Sequence, residues 1–123
     1  MTDSLKGLSV LIVEDEFYLA DDLALALADV SAKVLGPFGR VEEARRVIED
    51  GHEIDLAVLN INLVGDRVFP IADLLHQKGT PFLFATGYDP EIIPERLSGA
   101  PRLEKPVGTA TVLRALEALH RER

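Results

Sequence analysis

Short apolar runs separated by helical patterns constrain the fold of this chain more than any other feature of its sequence. Residues 8–13 form the clearest run, which ends at the acidic triplet Glu14-Asp15-Glu16. A run that is apolar at both odd and even positions is typical of a strand buried on both faces of a sheet. Residues 56–61 and 81–85 repeat this pattern, so three central strands are predicted.

Helical spacing of apolar residues appears between these runs. It predicts helices over residues 17–30, 41–50 and 68–78, and a last helix capped by Thr109. Weaker strands are predicted at residues 33–35, closed by Gly36-Pro37, and at residues 102–103. Residues 90–97 can hold only a short helix, because Pro94 interrupts it. Strands that alternate with helices predict an α/β fold, in which a parallel sheet is covered on both faces. One domain over residues 1–123 is expected.

Composition excludes several classes of function. The chain has 123 residues, a net charge of -8 and no cysteine. The negative charge argues against a nucleic-acid-binding surface, and the lack of cysteine excludes disulfides and thiolate sites. No apolar run approaches the roughly 20 residues that span a bilayer. The first residues lack the pattern of a secretory signal, so a cytoplasmic protein without membrane attachment is expected.

Polar residues follow the predicted strands where each strand ends. Glu14 and Asp15 follow the first strand, Asn60 and Asn62 the third, Thr86 the fourth and Lys105 the fifth. Because ligands of open parallel sheets bind at the carboxyl ends of the strands, we expect these residues to converge. Two carboxylates and a carbonyl suit Mg²⁺, and a hydroxyl with an ammonium suits phosphoryl oxygens.

These motifs together resemble the receiver domains of bacterial response regulators. The resemblance rests on residues 10–16, residues 55–63, Thr86 and Lys105-Pro106, and it covers almost the whole chain. Residues 84–88, Phe-Ala-Thr-Gly-Tyr, are similar to a subgroup of single-domain receivers that carry this stretch after strand four. The resemblance implies a flavodoxin-like (βα)5 doubly wound sheet of strand order 2-1-3-4-5, with a short or irregular fourth helix.

The resemblance also implies roles for the residues at the strand ends. Glu14, Asp15, residue 60 and the backbone carbonyl of Asn62 would hold Mg²⁺, while Thr86 and Lys105 would contact a phosphoryl group. In the family an aspartate at position 60 accepts the phosphoryl group from a sensor histidine kinase in two-component signalling and phosphorelays. Here Asn60 stands in its place, and its neutral amide is a poor nucleophile and a weak metal ligand. Phosphorylation is therefore not expected, and Mg²⁺ binding should be weakened.

Arg102 and Asp55 also bear on the resemblance. An aromatic residue is typical of strand five, but Arg102 holds that position. Asp55 cannot replace the missing carboxylate, because it lies at the other end of its strand, about 15 Å from residue 60.

Several alternatives stay open at the level of sequence. Asn60 is either natural, which makes the chain a pseudo-receiver, or a substitution that fixes the unphosphorylated state. We expect a non-enzymatic module without an output domain, which binds a sensor histidine kinase or another regulator. A homodimer through residues 90–121 is also considered, with Leu97 and Leu113 either as apolar contacts or as ordinary core residues. The alternative is a small metal-dependent phosphohydrolase, although Glu16 and Phe17 after Asp15 do not fit its paired-aspartate motif.

Overall fold

Five parallel strands form the centre of the fold in a computed structural model, which describes residues 2–87 and 93–122. Their bounds are β1 Ser9–Val13, β2 Lys33–Phe38, β3 Leu56–Asn60, β4 Phe82–Thr86 and β5 Arg102–Glu104. The strand order is 2-1-3-4-5, and every neighbouring pair is parallel. This flavodoxin-like α/β sheet confirms the predicted fold class.

In the part of the chain that the structure describes, four α-helices cover the two faces of the sheet. Their bounds are α1 Phe17–Asp29, α2 Val41–Glu49, α3 Phe69–Gln77 and α4 Thr109–Arg121. Helices α2 and α3 pack with Leu11 and Leu59 on one face, whereas α1 and α4 pack with Ile12 and Val58 on the other. Consecutive residues of each central strand therefore enter opposite cores, which explains why the runs are apolar at every position.

Strand β2 continues beyond its predicted end. The pair Gly36-Pro37 lies within the strand, which reaches Phe38, so the prediction that it closes the strand is wrong. Gly36 has a φ of +103°, and a Cβ there would lie 2.7 Å from the carbonyl oxygen of Ile12. A glycine is needed at this close approach. Pro37 is tolerated because β2 is an edge strand, where an N–H is dispensable.

The segment after β3 turns through a short antiparallel ribbon before α3. Asn62–Leu63 pairs with Asp66–Arg67, and Gly65 takes the positive φ of the turn. Pro70 lies in the first turn of α3, where its missing N–H costs no intrahelical hydrogen bond.

The start of α4 differs from the prediction, whereas the described turn before β5 agrees with it. Thr109 is the first residue of α4 and Gly108 is the N-cap, so the prediction that Thr109 caps the helix is wrong. Between β4 and β5 the described part of the chain contains one 3-10 turn, Glu95–Leu97, in agreement with an irregular fourth helix. The predicted helix over residues 90–97 also includes residues 90–92, which lie outside the described residues.

Among the described residues, no helix combines the length and apolar character needed to cross a bilayer.

Candidate functional site

The predicted site residues meet at one edge of the sheet. Glu14 and Asp15 follow β1, Asn60 ends β3, Thr86 ends β4 and Lys105 follows β5. Since β1, β3, β4 and β5 are consecutive neighbours in the sheet, their carboxyl ends form a continuous rim. We call these five residues, together with Asn62, the rim site.

Asn60 lies at the centre of the rim site. Its side-chain nitrogen Nδ2 donates to Glu14 Oε2 at 3.0 Å, to Asp15 Oδ1 at 3.0 Å and to the carbonyl oxygen of Asn62 at 2.8 Å. All three partners are acceptors, so the amide turns its nitrogen towards them and its oxygen away. The three oxygens that the resemblance assigns to a metal ion therefore converge on one nitrogen atom.

Glu14 and Lys105 form a buried ion pair beside this amide. Lys105 Nζ lies 2.8 Å from Glu14 Oε1 and 3.2 Å from Glu16 Oε2, and the Glu14 side chain is only 1% exposed. Burial raises the pKa of Glu14 above its ordinary value of 4.5, while the hydrogen bond from Lys105 and the backbone N–H of Glu16 oppose that rise. The ammonium thus balances a carboxylate that water does not reach.

Thr86 contributes a buried hydroxyl to the same rim. Its side chain is fully buried, and Oγ1 has no hydrogen-bond partner within residues 2–87 and 93–122. Its backbone carbonyl accepts from the N–H of Lys105 at 2.7 Å, which ties the end of β4 to the residue after β5. This bond fixes the backbone of Lys105 next to Thr86.

The donor set of the rim site does not fit a divalent cation in this arrangement. Mg²⁺ prefers oxygen ligands, but the point on which the oxygens converge is held by an N–H donor, and an ammonium already neutralises Glu14. Nowhere in the described ranges do three or more acidic or histidine side chains group as a metal site. The metal-ligand roles of Glu14, Asp15, Asn60 and Asn62 stay predictions.

Two residues discussed at the level of sequence lie away from the rim site. Asp55 Oδ2 accepts from the N–H of Ser9 at 2.8 Å, at the opposite ends of β1 and β3. Arg102 is in β5, where it pairs with Phe84 across the ladder. The stretch that the resemblance places after strand four lies partly within it, because β4 ends at Thr86, and Tyr88 falls outside the described residues.

Sequence reasoning missed two features beside the rim site. Glu16 is a second carboxylate partner of Lys105, and only the acidic triplet hinted at it. The large apolar side chains that are exposed in the described ranges, Phe17, Tyr18, Leu25 and Val64, lie on α1 or just after β3. The adjacent pair Phe17-Tyr18 at the start of a helix was the available signal.

Solved structures more than 30% identical to this chain include SdrG and a signal receiver domain. SdrG from Sphingomonas melonis Fr1 is 36% identical, with 94% of this chain and 97% of that one covered and a TM-score of 0.78. SdrG has also been solved in a BeF3-activated conformation. The signal receiver domain of a modulated diguanylate cyclase from Desulfovibrio desulfuricans G20 is 31% identical, with 95% and 96% covered and a TM-score of 0.80.

A third similarity supports the fold alone. The response regulator receiver protein from Sinorhizobium medicae WSM419 is 21% identical, with 95% and 97% covered and a TM-score of 0.80. No protein-family model matches the chain, and no curated protein matches it. The fold, the strand-end constellation and the identity to two of these proteins over nearly their full length lead to one conclusion. The chain belongs to the receiver-domain family of response regulators.

Proposed function

We propose that this chain is a two-component receiver module that signals by binding other proteins and does not accept a phosphoryl group at residue 60. Its role is non-enzymatic and cytoplasmic. The observation that carries the proposal is the amide of Asn60 at the centre of the rim site, where its nitrogen donates to both carboxylates that follow β1.

The chemistry of the amide explains the loss of phosphoryl transfer. A carboxylate oxygen attacks phosphorus because it carries negative charge, whereas the amide oxygen is neutral and shares its electrons with the nitrogen. The two carboxylates that contact this amide in the described part of the chain are both engaged in other interactions. Glu14 is buried and paired with Lys105, and Asp15 accepts a hydrogen bond from the amide itself.

A binding role is supported by the surface beside the rim site. Phe17 and Tyr18 are 73% and 79% exposed, and their rings meet edge to face at 5.5 Å at the start of α1. Exposed aromatic side chains on one helix are typical of protein contact surfaces. We propose a sensor histidine kinase or another signalling regulator as the partner.

The region proposed for a homodimer, residues 90–121, offers fewer apolar contacts than the sequence suggested. Leu97 is 2% exposed and packs in the core on the α2 and α3 face, so it is not available to a second copy. Leu113 is half-buried on the other face of the sheet. A dimer through this region stays a prediction.

Phosphorylation by a small-molecule donor tests the proposal. Incubation of the chain with acetyl phosphate and Mg²⁺ should give no base-labile adduct by intact mass spectrometry, whereas Asn60→Asp should give one. Asn62→Asp is the matched control, because it adds the same carboxylate two residues further along and should remain unmodified.

Two outcomes would contradict the proposal. An adduct on the unmodified chain would show that another residue accepts the phosphoryl group. The second outcome is an Asn60→Asp variant that forms no adduct and shows no spectral change with the BeF3 mimic in the presence of Mg²⁺. This result would contradict the assignment of position 60 as the phosphoacceptor position.

A further inference from the structure

The three oxygens around Asn60 come from two segments of the chain, the one that follows β1 and the one that follows β3. They belong to Glu14, to Asp15 and to the backbone of Asn62, and each lies within 3.0 Å of the same nitrogen. The amide has two N–H bonds, so two protons are shared among three acceptors. Converging oxygens of this kind can also be satisfied by a metal cation.

The one buried negative charge of this cluster is also offset from within. Glu14 is buried, and Lys105 lies 2.8 Å from its Oε1 while it reaches Glu16 at 3.2 Å. Asp15 and Glu16 are exposed, so water screens their remaining charge. The cluster therefore needs no external positive charge to keep the two neighbouring carboxylates together.

We propose that the Asn60 amide, with the Lys105 ammonium, takes the place of a divalent cation and holds the rim site in one metal-independent arrangement. This inference deepens the proposed function and rests on it, since it explains how the site keeps its shape without a cation or a phosphoryl group. Exclusion of the metal ion by the amide differs from a simple loss of affinity for Mg²⁺. A missing carboxylate only weakens a metal site, whereas an amide at the point of convergence excludes the metal ion.

Removing the amide separates these two explanations. In Asn60→Ala the oxygens of Glu14, Asp15 and Asn62 lose their shared donor, and the point of convergence opens. If the amide excludes the ion, this variant gains a response to Mg²⁺ that the parent chain lacks. If the missing carboxylate is the whole cause, the variant is as insensitive as the parent.

The experiment is a thermal-unfolding titration with millimolar MgCl2 at constant ionic strength and without any phosphoryl donor. We expect no shift of the melting temperature for the parent chain, a lower melting temperature for Asn60→Ala without metal, and a partial recovery with Mg²⁺. Gln77→Ala, which removes an exposed amide at the end of α3, is the matched control and should behave like the parent.

A parent chain that Mg²⁺ stabilises would overturn the proposal, as would an Asn60→Ala variant that ignores the metal. If that variant does not fold, the proposal is tested by NMR on the side-chain amide protons of Asn60 in the parent chain. They should exchange more slowly with water than those of Gln77 and should not move with Mg²⁺. Exchange of the Asn60 amide protons as fast as that of the Gln77 amide protons would contradict the proposal. Because no phosphoryl donor is present, these results are independent of the phosphorylation test.

Discussion

Two carboxylate–cation pairs in this molecule have the same N···O distance, but the pKa of the carboxylate is shifted in opposite directions in the two pairs. Lys105 meets Glu14 at 2.8 Å in the rim site, and Arg96 meets Asp73 at 2.8 Å on the surface, between the 3-10 turn and α3. Burial dominates at Glu14 and raises its pKa, whereas the hydrogen bond from Arg96 dominates at Asp73 and lowers its pKa. Distance alone therefore does not decide what an ion pair contributes, because desolvation outweighs attraction in the buried pair.

The two ion pairs also differ in how strongly their surroundings constrain them. The exposed pair joins two surface elements and can be lost at small cost. The buried pair lies beside an amide that donates to three oxygens, so its atoms are constrained from several sides.

The largest expected effect comes from removing the cation of the buried pair. Lys105→Met leaves the Glu14 carboxylate buried without its ammonium, which should lower the free energy of unfolding by about 3 kcal/mol in urea denaturation. Glu16→Gln is the control, since Glu16 is 59% exposed and its loss should change stability little. Equal effects of the two substitutions would refute the distinction between the buried and the exposed partner.

A carboxylate at position 60 should have the next largest effect. Asn60→Asp removes the donor to Glu14 and Asp15 and adds a third negative charge, which should lower the free energy of unfolding by about 2 kcal/mol without metal. Millimolar Mg²⁺ should restore most of this loss, because it would neutralise three converging carboxylates. Denaturation with and without Mg²⁺ checks the prediction, and an Asn60→Asp chain as stable as its parent without metal would contradict it.

The smallest expected effect concerns pH and the exposed pair. The pKa of Asp73 is lowered from its ordinary value of 3.8, so the folded state binds its proton less readily than the unfolded state does. The contribution of Asp73 to stability is therefore complete above about pH 4 and is lost as the pH falls through the lowered value. Acid unfolding curves should become less steep in this window in Asp73→Asn and equally so in Arg96→Met. A steeper curve in either variant would contradict the sign.

Much of the fold could be predicted, because its signal is local. The continuous apolar run of residues 8–13 demanded burial on both faces, and the structure places Leu11 and Ile12 in opposite cores. The path of β2 could not be predicted, because Gly36-Pro37 is a normal turn signal in isolation. Only the neighbouring strand, with the carbonyl of Ile12 close to Gly36, reveals why a glycine continues the strand there.

The rim site was predictable in its membership and not in its contacts. Topology brings strand ends together, so Glu14, Asn60, Thr86 and Lys105 could be grouped from the strand assignments alone. The direction of an amide depends on which acceptors surround it, and those acceptors come from residues far apart in the chain. The pairing of Lys105 with Glu14 likewise spans 91 residues and depends on the burial of both side chains.

The sequence by itself determined that position 60 carries an amide at the end of a buried strand, and hence that no carboxylate nucleophile stands there. Only the tertiary structure decided what that amide does, which is to donate to Glu14, Asp15 and the carbonyl of Asn62. The reason is physical. Covalent identity settles which groups are present, whereas hydrogen bonds and desolvation depend on the distances between groups that only folding brings together.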